Sequence, residues 1–171
     1  MFEILDIKDL NLDKFNLIRE VNNSNKDEIR SRKVYHDQSN KNYIKIWDKN
    51  DIRAVTGNFI KAILCGFYDK NTVPALKSII FDGRDCVGYV MGEGVLLSKF
   101  NEKLPIYFKD MIFEKTKTTG YCFIDLTTDN IIKYKSGCSL IDLEPVYHID
   151  NIDKRFTIKP VEYANYIKEL K

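Results

Sequence analysis

The sequence predicts an α+β fold in a single domain, and three observations carry that prediction. Residues 14–21 alternate well enough for a strand, and residues 29–36 and 42–47 flank the turn-like DQSNK as a hairpin. Apolar residues recur at i, i+3 and i+4 from Ile52 to Phe67, the spacing of an amphipathic helix. A Gly-Glu-Gly step at 92–94 then divides the chain in two. The expectation is a five-stranded antiparallel sheet with one helix before that step, and a reduced, mostly helical part after it. A length of 171 residues is enough for one core.

Taken in order, residues 14–21 (KFNLIREV) read as the first strand and NNSNKDE after them as a loop. IRSRKVYH and NYIKIW, joined by DQSNK, read as a hairpin. The helix of residues 51–65 begins at Asp51, a good N-cap residue, and Gly66 ends it. ALKSIIF and CVGYVM flank the turn DGRD as a second hairpin. Beyond the glycine step, residues 104–119 read as a helix stopped by Gly120, followed by YCFIDL, NIIKY and CSLIDL as short apolar strands or strand-like turns. PVEYANYIKELK closes the pattern as a helix with proline near its start.

Composition narrows the function classes. Hydrophobic residues make up 44% and charged residues 30%, the balance of a globular protein. Lys+Arg 27 against Asp+Glu 25 leaves +2, so no broad basic field invites nucleic acid or an anionic membrane. No apolar run approaches the roughly 20 residues of a membrane span, and the first residues carry acids where a secretory leader carries base. A cytoplasmic location is expected. Cys65, Cys86, Cys122 and Cys138 form no C-x-x-C pair, and with only His36 and His148 present they read as four buried, unpaired thiols.

Two stretches carry chemistry. FIDLTTDNII places Asp125 at the end of an apolar strand with Asn130 five residues later, and SLIDLEP places Asp142 in the same way. Two carboxylates and an amide on neighbouring loops are oxygen donors suited to Mg²⁺ and a polyanionic ligand. In the strand of residues 42–47, Tyr43, Lys45 and Trp47 share one face, so the lysine is a candidate anion partner. His36 and His148 are isolated in sequence and receive no role. The run KTK at 115–117 reads as a solvated complement to a helix end.

These residues carry a resemblance to the protein-kinase-like superfamily, in particular its aminoglycoside and choline kinase branch. The catalytic loop H-G-D-L-x-x-x-N-I-L of that branch stands here as F-I-D-L-T-T-D-N-I-I, and its metal-binding motif as I-D-L-E. YIKIW resembles the lysine-bearing strand, residues 51–65 the helix after it, and GYVMGEGVLL the hinge. The resemblance spans roughly residues 15–146. It implies a kinase-like fold with residues 1–92 as the first lobe and 93–171 as a reduced second one. It implies ATP and Mg²⁺ as cofactors and transfer of the γ-phosphate to a hydroxyl of a protein or small molecule. Lys45 would meet the α- and β-phosphates and the backbone of Met91 to Glu93 the adenine. Asp125 would serve the acceptor hydroxyl, and Asn130 and Asp142 would hold Mg²⁺ with help from Glu144.

The chain also departs from that pattern. No glycine precedes Gly57, so Ser24 or Ser31 and backbone amides would have to meet the phosphates. The helix of residues 51–65 has no glutamate to pair with Lys45, and Phe123 stands where the family has histidine. Few residues follow Asp142, which implies a minimal core whose acceptor site is completed by a partner protein or a second copy. These departures favour the alternative of a catalytically inactive, pseudokinase-like module that binds nucleotide or protein.

Overall fold

A computed structural model describes residues 2–22, 31–47, 52–134, 137–152, 158 and 161–170. The chain divides into two compact units. Unit one comprises Met1–Gly57 and Ala75–Glu93; unit two comprises Asn58–Pro74 and Gly94–Lys171.

Unit one is built on a mixed sheet of six strands. Its strands are β1 (Glu3–Asp6), β2 (Asn16–Asn22), β3 (Ser31–Asp37), β4 (Asn42–Trp47), β5 (Leu76–Asp82) and β6 (Asp85–Gly92), in the order β1-β5-β6-β4-β3-β2. The five strands expected from alternation are present and antiparallel. The expectation of five is corrected by β1, which pairs parallel with β5 from Glu3↔Ser78 to Asp6↔Phe81. Four residues, EILD, are too short to display a period; Ser78, donating 2.8 Å to the Glu3 carboxylate, marks the pairing chemically.

Ile44, Ile80, Val87 and Val90 form a core in unit one, with Leu5, Leu10, Phe15 and Ile46 packed on it. This is the Ile44/Ile46 face that the alternation sets opposite Lys45. On the other face Trp47 meets Tyr89 edge-on at 5.6 Å. Gly88, opposite Ile46 in the register, lets β4 and β6 approach: a Cβ there would lie 2.0 Å from the Lys45 carbonyl oxygen.

α1 (Ile52–Leu64) runs through the point in the sequence, Gly57/Asn58, where the units divide. The segment 58–74 belongs to unit two although the strand that follows it belongs to unit one. Beyond the glycine step come β7 (Val95–Leu96), α2 (Ile106–Thr119), β8 (Tyr121–Phe123), β9 (Ile131–Tyr134), β10 (Gly137–Leu140), β11 (Val146–His148) and α3 (Val161–Leu170). Among the described residues, two helices against five short strands correct the expectation of a mostly helical second half. The strands pair as β10-β9-β7 and β11-β8; β8, β9 and β10 fall in the runs YCFIDL, NIIKY and CSLIDL, while β7 and β11, of two and three residues, are too short to show a period. Phe108, Ile112, Phe123, Leu126, Leu140 and Tyr163 are among the buried residues of this unit. No helix among the described residues is long and apolar enough to cross a membrane.

Two local expectations change. Cys86, Cys122 and Cys138 are buried, but Cys65 is exposed, because it lies just past the end of α1. Burial pushes the Cys86 thiol up to about 12, which keeps it protonated. Lys115 is not merely solvating a helix end. Its ammonium pairs with the Asp69 carboxylate at 2.5 Å and donates to the Gly66 carbonyl at 3.0 Å, tying the loop after α1 to α2. Partial burial alone would raise the Asp69 carboxyl, but Lys115 and the backbone amides of Thr72 and Asn71 outweigh it and hold it below its ordinary 3.8.

The pH dependence of this tie follows from that direction. A depressed carboxyl contributes stability above its unfolded value and loses it as pH falls through the folded one. Lys115→Met is expected to lower stability by about 1 kcal/mol at neutral pH. The difference from wild type should shrink once the pH drops well below 3.8, as read by urea unfolding at pH 7 and near pH 3. An equal difference at both would show that the ion pair contributes nothing.

Candidate functional site

The site residues of unit two are positioned by backbone pairing. β8 pairs with β11, Phe123 opposite Val146, and the Ile124 amide extends the pairing by donating 2.8 Å to the Pro145 carbonyl. Asp125 comes directly after that contact. The chain then tightens into a 3-10 turn at Thr128–Asn130: the Thr127 amide donates to the Asp125 carbonyl at 2.9 Å and the Asn130 amide to Thr127 at 3.1 Å.

The five-residue spacing has a physical reason here. The buried Asn130 side chain turns back on the start of its own loop, donating from Nδ2 to the Asp125 carboxylate at 2.7 Å and to its carbonyl at 3.0 Å. One amide nitrogen thus fixes both the loop and the orientation of the carboxylate, and it leaves the oxygen end of Asn130 as the acceptor.

The β9–β10 hairpin returns the chain to this point. Leu140 stands opposite Ile131, and the Ile141 amide donates 2.9 Å to the Asn130 carbonyl. Asp142 follows in the left-handed backbone region, with φ 55°. That conformation is uncommon for a residue with a Cβ and costs roughly 1–2 kcal/mol, less for Asp than for most. After it, the Val146 amide closes on the Glu144 carbonyl at 2.7 Å, and the Glu144 side chain is buried. The structure therefore brings Asp125, Asn130 and the Asp142–Glu144 turn onto adjoining stretches of backbone.

In unit one, Lys45 is buried on β4 opposite Tyr89, its ammonium 5.8 Å from the centre of that ring. Met91 is buried in β6 opposite Tyr43. The amide hydrogens of Gly92 and Glu93 are engaged, by the Ala75 carbonyl at 2.8 Å and the Lys41 carbonyl at 3.0 Å. The Glu93 carboxylate pairs with the His36 ring, which stacks on Tyr43 at 4.9 Å. His36 thus has a partner, 57 residues away in sequence. Ser24 lies outside the described residues.

No family model matches this chain, and no curated protein matches it. The functional reading rests on the chemistry of the residues themselves. Among the described residues, no group of three or more His, Cys, Asp or Glu side chains is placed to hold a metal ion. The oxygen-bearing side chains on these stretches of backbone are the Asn130 amide and the Asp142 and Glu144 carboxylates. A set of one or two carboxylates fits Mg²⁺, which takes its remaining ligands from phosphate oxygens and water, and does not fit zinc.

Sequence reasoning missed Tyr68. It is fully buried and its hydroxyl donates 2.7 Å to the Leu143 carbonyl, in the middle of I-D-L-E. Burial first, then the nearby Glu144 and, more weakly, Asp142, push its phenol well above the usual tyrosine value, so it remains a donor. Its partner lies 75 residues away, and no local pattern announces it.

Proposed function

We propose that the chain is an ATP- and Mg²⁺-dependent phosphotransferase of kinase-like type, acting on a hydroxyl of a protein or small molecule. The observation that carries this reading is the Asp125–Asn130 pairing beside a turn that holds Asp142 in a left-handed conformation. Non-glycine residues in that region persist where the surroundings over-determine them, and such places are often functional.

In this reading Asp125, oriented by Asn130, receives the acceptor's hydroxyl proton. The acceptor oxygen bonds to the γ-phosphorus as the bond from that phosphorus to the β–γ bridging oxygen breaks, leaving ADP. Asn130 and Asp142 would hold Mg²⁺ with Glu144 in support, and the metal, when bound, would neutralise phosphate charge. Lys45 adds a cation for the α- and β-phosphates. Met91 and Glu93 would meet the adenine through backbone carbonyls, since the amide hydrogens of Gly92 and Glu93 are engaged.

The engaged amides of Gly92 and Glu93 favour a second reading, a kinase-shaped module that binds a protein partner without turning over nucleotide. Thermal unfolding with and without ATP, each with and without Mg²⁺, separates the two. A ligand that binds the native state raises the midpoint by mass action. The phosphotransferase reading expects a rise that needs both components and is weakened about tenfold in apparent affinity by Lys45→Met. No rise at millimolar ATP, or one indifferent to Mg²⁺, overturns it.

A further inference from the structure

We infer that the loop of residues 66–72 is a bracket that sets the metal competence of the Asp142 turn, with Tyr68 as its positioning residue. The claim about metal rests on the function proposed above; the claim about the bracket does not.

The loop grips the turn on both sides of Asp142. Upstream, the Leu140 amide donates 3.1 Å to the Thr72 carbonyl. Downstream, the Tyr68 hydroxyl donates 2.7 Å to the Leu143 carbonyl. With residues 140 and 143 held, Asp142 has little freedom to leave its left-handed conformation.

The loop is itself cross-braced. The Asp69 carboxylate accepts the amides of Asn71 and Thr72 at 2.9 and 3.0 Å, and the Thr72 hydroxyl donates to the Phe67 carbonyl at 2.9 Å. Lys115 fastens it to α2 through Asp69 and Gly66. Tyr68 is packed by Phe59 and Phe67, with ring centres 5.9 and 5.1 Å away. A phenol so placed restrains the carbonyl it grips, and metal ligands must be held to within about 0.5 Å by supporting contacts of this kind.

The test uses the full chain and two matched variants. Tyr68→Phe deletes the hydroxyl and keeps the ring. Tyr166→Phe deletes the same kind of bond, a tyrosine hydroxyl on the Phe113 carbonyl at 2.9 Å, away from the turn. The first readout is amide hydrogen exchange at Leu140, Ile141 and Val146. We expect it to accelerate about tenfold or more in Tyr68→Phe, the loss of roughly one hydrogen bond, and to stay within about twofold of wild type in Tyr166→Phe. The second is the Mg²⁺ concentration that half-saturates the ATP-induced rise in melting temperature. It should increase about tenfold in Tyr68→Phe alone. Lys115→Met, which loosens the loop from its other side, should move both readouts in the same direction even if Tyr68→Phe proves poorly folded.

Unchanged exchange at all three amides overturns the bracket whatever the ligand. So does a Tyr68→Phe protein that binds Mg²⁺ and ATP as wild type does. Accelerated exchange in a chain whose wild type ignores Mg²⁺ and ATP would uphold the bracket and remove the function it was proposed to serve.

Discussion

Asp142→Ala and Asp142→Gly are both expected to abolish the Mg²⁺-dependent part of the ATP response, yet to differ from each other in stability without ligand. At a ligand concentration 100 times the dissociation constant, binding stabilises by about 2.7 kcal/mol. That corresponds to a rise of about 5–10 °C for a domain of this size, and both variants should lose it. The two part company on the backbone. Alanine at φ 55° keeps the steric penalty of the left-handed region, roughly 1–2 kcal/mol, without aspartate's local hydrogen bonding. Glycine escapes that penalty, so Asp142→Gly should unfold within about 1 kcal/mol of wild type or above it. Melting curves of the three proteins, with and without ATP and Mg²⁺, read both effects. A glycine variant that still responds to Mg²⁺ would remove Asp142 from the metal site.

Gly88→Ala is the substitution with the largest expected effect on folding. Its Cβ would stand 2.0 Å from the Lys45 carbonyl oxygen and 3.1 Å from the Lys45 carbonyl carbon, both backbone atoms. A side chain could rotate away; a strand cannot without breaking the β4–β6 ladder at the centre of the six-stranded sheet. A loss of about 4 kcal/mol or more is expected, and the same displacement would move Lys45. Denaturant titration of Gly88→Ala beside wild type measures it. A loss below about 1 kcal/mol would mean that β4 and β6 tolerate a wider spacing than they adopt.

How much of this was legible depends on the distance between interacting residues. Strands whose partners are close in the chain were readable from alternation and turn residues, as in β3–β4 and β5–β6. β1 was not, because four residues pair with a strand some seventy positions on. Asp125 and Asn130 could be read as a unit, since the amide closes a turn over its own neighbours. Tyr68, Lys115 and the His36–Glu93 pair could not, since each acts on a partner 46 to 75 residues away. In the second half β8, β9 and β10 were legible as the apolar runs YCFIDL, NIIKY and CSLIDL, whereas β7 and β11, of two and three residues, carry no readable pattern. Cys65 was expected to be buried on composition, which does not register that it falls just past a helix end.

The way sequence is shared between the units has an evolutionary consequence. Residues 58–74 belong to unit two but are encoded between two stretches of unit one. A genetic crossover at the glycine step would transmit residues 94–171 without Tyr68 and Thr72, and so with an I-D-L-E turn that has lost both of its outer grips. The apparent seam at Glu93 is therefore not a joint at which the halves could be inherited or exchanged independently. Selection on the turn around Asp142 must also act on a loop encoded some seventy codons earlier.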